Sequence, residues 1–164
     1  MRRVGRWLGR LAAALVVVAI VALGGISGSL YWDRIELRAD QATRTELGPL
    51  AADQIPKVFG YDYQTVERSL TDAYALLTPD YRREFEDRAT KDIIPQARQR
   101  QVVSQASVVG VGVLDAQRDS GSVMVYMNRT VTDKAQQPAY DGSRLRVDYR
   151  KVDGKWLISY ITPM

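Results

Sequence analysis

The longest uncharged stretch of the chain lies near its N-terminus and runs from Leu11 to Trp32. A helix of that length rises about 33 Å, which matches a bilayer hydrocarbon core of about 30 Å. Residues 1–10 contain four arginines, and basic residues stay on the cytoplasmic side of a membrane. The pattern predicts a cytoplasmic basic tail over residues 1–10, a transmembrane helix over residues 11–32, and residues 33–164 outside the cytoplasm.

A cleaved signal peptide is the alternative interpretation of the same stretch. It would show the same basic start and apolar run, followed by small residues such as Ser27-Gly28-Ser29. The apolar character continues through Leu30, Tyr31 and Trp32, which favours an uncleaved anchor. We therefore expect a single-pass protein of the cell membrane whose C-terminal part lies outside the cytoplasm.

Residues 33–54 are rich in charge and in good helix formers, with few apolar positions. They predict a juxtamembrane helix or stalk that continues the anchor and ends around Gly48-Pro49. Because the apolar positions are sparse, a solvated spacer is favoured over an interaction helix. Residues 55–164 are then predicted to form one extracytoplasmic domain.

Two amphipathic helices are predicted at the start of this domain. Apolar residues recur every three or four positions over residues 63–77, and Asp62 precedes them as a candidate N-cap. Thr78-Pro79-Asp80 supplies a capping hydroxyl, a proline suited to the first helical position and an acid in the first turn, so a second helix begins there. A further short helix is expected from Pro95.

After Val102 the sequence pattern changes to an alternation of apolar and polar residues, which predicts four strands. Asp153-Gly154 is a tight hairpin turn between the last two. Helices followed by an antiparallel meander indicate an α+β fold: a cone in which N-terminal helices pack on a curved four-stranded sheet. The predicted strands are residues 104–116, 122–131, 143–152 and 155–162.

Charge and composition exclude several function classes. The chain has 23 basic and 19 acidic residues, and removing the four N-terminal arginines leaves 19 against 19. A neutral outer domain gives no basic face for nucleic acid. The chain has no histidine and no cysteine, so the usual general base, the commonest metal ligand and any thiolate are missing. We expect no enzyme activity, no catalytic residue, no cofactor and no metal site.

Two features of the pattern resemble chemical sites. Gly110-Val111-Gly112 lies inside a valine-rich strand, where a phosphate-binding loop would need a turn into a helix, so a structural role is favoured. Among the carboxylates, Asp72 adjoins the apolar stripe of its helix. A cone-fold enzyme would need Asp72 buried in a pocket opposite Tyr126 or Tyr149.

Aromatic and arginine residues supply the remaining candidates. Aromatic rings that meet inside a cone can line a pocket for an apolar ligand, although ordinary core packing is favoured. Exposed aromatic and arginine residues are enriched at protein interfaces. The candidate pocket lining is Tyr74, Tyr126, Tyr149 and Trp156, and the candidate interface is Tyr140, in a long loop, with Arg144, Arg146 and Arg150 on the polar face of a strand.

The arginine-led span, the helical stalk and three short segments together resemble the Mce-associated membrane proteins of actinobacteria. The segments are LTPDYRREF (77–85), VVGVGV (108–113) and GKWLISYITPM (154–164), and none is a catalytic signature. The resemblance covers the whole chain in architecture. It implies a domain similar to the cone fold of nuclear transport factor 2 and SnoaL, which inner-membrane assembly factors of type IV secretion also use.

The resemblance further implies an accessory protein that assembles or stabilises an Mce-type importer of lipids such as sterols and fatty acids. Its partners would be the Mce transport proteins and the lipid bilayer, and self-association stays open. The alternative is a scaffold subunit of a secretion or conjugation apparatus, and a SnoaL-like enzyme or a lipid-binding domain is less favoured. The transported lipid and the particular Mce system do not follow from the residues.

Overall fold

The computed structural model describes residues 40–135 and 137–164 of the chain. The predicted basic tail, the predicted transmembrane helix and residues 33–39 of the predicted stalk lie outside the described residues. Within the described ranges, no helix is both long enough and apolar enough to cross a membrane. The described residues belong to one structural unit, Asp40–Met164.

An antiparallel sheet of five strands, in the order β1-β2-β3-β4-β5, organises this unit. Each strand pairs with the next one along the chain, and the sheet is curled. The α+β prediction is confirmed, with one short strand that the sequence did not indicate. The strands are β1 (Tyr61–Asp62), β2 (Val103–Ala116), β3 (Ser120–Thr132), β4 (Ala139–Val152) and β5 (Lys155–Pro163).

Alternation along β4 sets its orientation. Leu145, Val147 and Tyr149 are buried against the helices, while the residues between them face outward. Asp153 and Gly154 form the turn into β5 with φ angles of 50° and 78°. Left-handed conformations at both central residues are typical of a two-residue hairpin turn, as the Asp-Gly pair predicts.

Strand β2 departs from simple alternation at two positions. Its register with β3 shifts between Val108 and Gly110 and again between Val113 and Asp115. The residues between, Val109 and Leu114, are therefore β-bulges, and both are exposed. The sequence pattern places Val109 on the same side as Val111 and Val113, and this prediction is wrong because the bulge reverses the alternation.

The first described helix, α1, occupies residues 40–59 and belongs to the core. Leu47, Ala51 and Ile55 recur at every fourth position and have no exposed surface. The predictions of a solvated stalk and of a helix end at Gly48-Pro49 are therefore wrong. Pro49 cannot donate a hydrogen bond to the preceding turn, but it lies exposed while Leu47 and Ala51 on either side hold the helix on the core.

The helices that follow begin largely where the sequence indicates. Helix α2 (Val66–Tyr74) is shorter than predicted, because the Asp62 carboxylate accepts a hydrogen bond from the Gln64 N–H at 2.8 Å in a turn before the helix. Asp62 is thus no N-cap. Helix α3 (Pro79–Arg88) begins at Thr78-Pro79 as predicted.

A π-helical turn joins α3 to the last helix. It covers Ala89–Ile93 and leads into α4 (Ile94–Arg100) without leaving the helical conformation. Pro95 has no N–H to donate to the preceding turn, which is a common cause of such local rewinding. Tyr81 and Phe85 of α3 are buried, and their ring centroids lie 6.3 Å apart.

Candidate functional site

The predicted interface residues all lie on the outer face of β4, which points away from the helices. Tyr140, Arg144, Arg146 and Arg150 are exposed, and the even-numbered positions of β4 share one face. Tyr140 is 80% exposed and belongs to the strand itself, so the prediction that placed it in a loop is wrong. The loop shortens because Ala139 and Tyr140 pair with Val131 and Thr130 of β3.

Strand β3 adds an aromatic ring to the same face. Tyr126 lies directly opposite Arg144, and Met124 lies opposite Arg146. Tyr126 is 49% exposed, because side chains alternate along β3 and its neighbours Val125 and Met127 take the buried side. We call Tyr126, Tyr140, Arg144, Arg146 and Arg150 the outer-face patch.

The charges of the outer-face patch are only partly neutralised. Arg146 Nε donates to Asp148 Oδ1 at 3.0 Å. In the described part of the chain, Arg144 and Arg150 have no ion-pair partner within 4.0 Å. The patch therefore offers two uncompensated guanidinium groups beside exposed apolar surface, a combination suited to binding an acidic partner surface.

Two apolar residues extend this surface and were missed from the sequence. Val109 and Leu114 are 67% and 48% exposed, on the strand that pairs with β3. Simple alternation places Val109 on the same side as Val111 and Val113, and the bulge explains its exposure. The Gly110-Val111-Gly112 segment lies between the two bulges, within the strand, as its structural interpretation predicts.

The four predicted pocket-lining residues do not meet. Tyr74, Tyr149 and Trp156 are buried in the core, whereas Tyr126 lies on the opposite face of the sheet. The separation follows from strand alternation, which sends Tyr126 and Tyr149 to different sides of paired strands β3 and β4.

Cationic side chains lie beside two of the buried aromatic rings. The Lys151 Nζ lies 5.1 Å from the Trp156 ring centroid, and the Arg82 Cζ lies 5.8 Å from that of Tyr74. Among the described residues, the Tyr149 hydroxyl and the Trp156 indole nitrogen are buried without a hydrogen-bond partner. Burial raises the pKa of the Tyr149 phenol well above its usual value.

The carboxylate chemistry considered for a cone-fold enzyme is not assembled. Asp72 is exposed on α2, so it does not face Tyr149, which is buried, or Tyr126, which is on the far side of the sheet. Across residues 40–135 and 137–164, no three acidic residues cluster in a way that would hold a metal ion.

Two curated proteins of Mycobacterium tuberculosis are similar to this chain in sequence, whereas no family model matches it. The outer membrane protein Rv1973 is 27% identical over 158 residues, which cover 96% of this chain and 99% of that protein. The uncharacterized protein Rv1362c is 26% identical over 153 residues, which cover 92% of this chain and 70% of that protein. Both similarities extend into the predicted anchor.

Several solved structures have a fold similar to that of this chain. The periplasmic domain of DotI matches with a TM-score of 0.63 at 11% identity, covering 73% of this chain and 94% of that domain. CagV, a VirB8 homologue from Helicobacter pylori, matches with a TM-score of 0.57 at 8% identity. The match covers 72% of this chain and 95% of the CagV chain. Agrobacterium tumefaciens VirB8 matches with a TM-score of 0.54 at 13% identity. The match covers 68% of this chain and 84% of the VirB8 chain. Residues 40–164 thus share the fold of these domains, as the cone-fold prediction implied.

Proposed function

We propose that this chain is a membrane-anchored assembly subunit of a multiprotein complex in the cell envelope, and that residues 40–164 bind its partner proteins. The observation that carries the proposal is the outer-face patch, where exposed tyrosines lie beside Arg144 and Arg150, which have no ion-pair partner among the described residues. These residue types dominate binding energy at protein interfaces. The proposal assigns no catalytic residue to the chain.

The first candidate complex is a secretion or conjugation apparatus, in which this chain would be a scaffold subunit. The fold supports it, since DotI, CagV and VirB8 each match between 68% and 73% of this chain. CagV is described as a VirB8 homologue of a type IV secretion system. A scaffold needs binding surfaces rather than a reaction centre, which suits the exposed position of Asp72 and the surface location of the patch.

The second candidate is an Mce-type lipid importer, for which this chain would be an accessory protein. Sequence supports it: LTPDYRREF, VVGVGV and GKWLISYITPM resemble segments of Mce-associated proteins of actinobacteria. Both sequence relatives come from Mycobacterium tuberculosis, an actinobacterium, and one is named an outer membrane protein. An envelope location is common to both candidates.

Affinity purification of the tagged full-length chain from native membranes in mild detergent, followed by mass spectrometry, separates the candidates. Recovery of secretion components such as a secretion ATPase supports the scaffold. Recovery of Mce-domain proteins with their permease and ATPase supports the importer subunit. Recovery of the chain without other envelope proteins contradicts the proposal as a whole.

A charge-reversal pair tests the role of the outer-face patch in the same purification. Arg144→Glu reverses an unpaired charge beside Tyr126, whereas Arg68→Glu makes the same change at an exposed residue of α2. We expect Arg144→Glu to weaken partner binding by about 2 kcal/mol, or roughly 30-fold in Kd. Arg68→Glu should leave recovery unchanged. Equal recovery of partners with both variants would remove the patch from the interface.

A further inference from the structure

The two edges of the sheet differ in how far they are protected from pairing with another strand. At the β5 edge, backbone groups of a neighbouring segment are hydrogen-bonded to the strand. The Thr78 N–H donates to the Ile158 carbonyl at 2.9 Å, and the Ile158 N–H donates to the Leu76 carbonyl at 2.8 Å. This strand also carries Lys155 at its start and Pro163 at its end. Charged residues and proline on an edge strand discourage pairing with another chain. The β5 edge is therefore closed to strand addition.

The β2 edge lacks such backbone contacts along most of its length, although the bulges at Val109 and Leu114 interrupt its regular hydrogen-bonding pattern. Strand β1 pairs only with Val103 and Ser104. From Gln105 to Ala116, β2 makes no backbone hydrogen bond on its far edge with any residue that the structure describes. The strand contains no lysine, arginine or proline, and Asp115 is its single charged residue.

The apolar side chains on the inner face of β2 are only partly shielded from solvent. Its inward-facing Val108, Val111 and Val113 are only half-buried, whereas Val123 and Val125 of neighbouring β3 have no exposed surface. An added strand would supply backbone partners for the edge and cover these valines at the same time.

The sequence of β2 indicates which strand fits. Residues 106–116 read ASVVGVGVLDA and are nearly the same in both directions about Val111. Antiparallel pairing of this strand with itself sets Gly110 against Gly112 and Ala106 against Ala116. It also sets each bulged residue against an inward-facing valine of the other copy, Val109 against Val113 and Leu114 against Val108. Asp115 then faces Ser107, so no two like charges meet. A two-fold contact requires such self-complementarity.

We propose that two copies of this chain pair through β2, antiparallel and two-fold symmetric about Val111, to form one continuous ten-stranded sheet. The pairing does not depend on which envelope complex the protein serves. It leaves the outer face of β4 free for other partners. A failure of self-pairing would therefore leave the proposed function standing, and loss of envelope partners would leave the self-pairing standing.

Cysteine cross-linking tests the pairing in the full-length protein. Opposed residues of antiparallel strands have Cα atoms about 4.5–5.5 Å apart, which falls within the range that a disulfide spans. The chain has no cysteine, so each introduced thiol is unique. Val111→Cys places the two thiols at the two-fold axis, while Leu157→Cys places a thiol at a half-buried apolar position of the closed β5 edge.

Native membranes containing each variant are treated with a mild oxidant and examined on a non-reducing gel. We expect Val111→Cys to give a reducible band at twice the mass of the chain, and Leu157→Cys to stay monomeric. A monomeric Val111→Cys, equal cross-linking of both variants, or a cross-link from Val111→Cys to a different protein would overturn the proposal.

Gly112→Lys gives an independent test by introducing like charges beside the axis. A Cβ atom at this exposed position would meet no heavy atom of the described residues within 4 Å, so the monomer has room for the lysine side chain. In the dimer, each lysine would lie next to Gly110 of the other copy and close to the second lysine. We expect the detergent-solubilised variant to show half the protein mass of the unsubstituted chain by light scattering. A dimer that persists in Gly112→Lys would overturn the proposal.

Discussion

Leu47→Ala is the most informative single substitution in the domain. Leu47 has no exposed surface, and it lies on α1, the helix whose sequence resembles a solvated stalk. It packs against Gly121 at the start of β3, where a methyl group in place of the glycine hydrogen would meet Leu47 Cδ1 at 2.5 Å. Removing the leucine side chain therefore opens a gap between α1 and the sheet.

The expected loss follows from the carbon atoms that are removed. Leucine to alanine deletes three carbons, worth about 2.4 kcal/mol at about 0.8 kcal/mol each when buried. A cavity that cannot collapse adds to this, and measured values run from about 2.7 to 5.0 kcal/mol. We expect a loss of about 3 kcal/mol in the free energy of unfolding. For a domain of this size, the corresponding fall in Tm is about 12 °C.

Urea unfolding of residues 40–164 measures this directly, because Trp156 is the single tryptophan of that segment and is buried. With a slope of about 1.5 kcal/mol per molar urea, the midpoint should fall by about 2 M. The control is Glu46→Ala, which changes an exposed neighbour on the same helix. A Leu47→Ala effect within about 0.5 kcal/mol of the control would refute the packing of α1 in the core.

Three further substitutions test single features of the domain by the same urea assay. Gly121→Ala should cost about 1–3 kcal/mol through its clash with Leu47, and less when Leu47→Ala makes room, which a double-mutant cycle measures. Tyr149→Phe should be neutral or stabilising by about 1 kcal/mol, since its buried hydroxyl has no partner among the described residues. Burial raises the pKa of the Tyr149 phenol, so above about pH 10 the unfolded chain loses a proton that the folded domain keeps. The free energy of unfolding therefore falls as the pH rises above about 10. Tyr149→Phe should make this fall smaller. Gly154→Ala should cost about 1 kcal/mol because φ is +78° there, whereas Gly112→Ala, which meets no atom within 4 Å, should not.

The sheet was predictable because its signals are local. Alternation between Arg144 and Tyr149 depends only on the pleat of one strand, and the Asp153-Gly154 turn depends only on two backbone conformations. The start of α3 at Thr78-Pro79 is equally local, because the fixed φ of proline suits the first turn of a helix. Each of these elements lies where its sequence places it.

The sequence prediction for helix α1 was wrong because a Gly-Pro pair, which is typical of a helix end, interrupts its apolar stripe. Gly48-Pro49 is typical of a helix end, and it divides Leu47 from Ala51 and Ile55. The stripe is recognised only when all three are counted together at spacing four. Contacts with the sheet, which sequence periodicity does not contain, then hold the helix through the proline.

The surface sites depended on features that no local pattern reveals. The outer-face patch was found in part, since Arg144, Arg146 and Arg150 alternate with buried residues. The bulges at Val109 and Leu114 were not, because a bulge is set by the register between two strands. The free edge of β2 follows from the order of strands in the whole sheet.

Site-specific photo-cross-linking in native membranes tests most directly whether the outer-face patch binds another envelope protein. A photoreactive residue replaces Tyr126 at the centre of the outer-face patch in one strain, and Arg68 on α2 in another. We expect adducts between position 126 and a different envelope protein, identified by mass spectrometry, and none from position 68. Adducts from position 68 alone, or no adduct from position 126, would contradict the claim that this domain assembles a complex through its outer face.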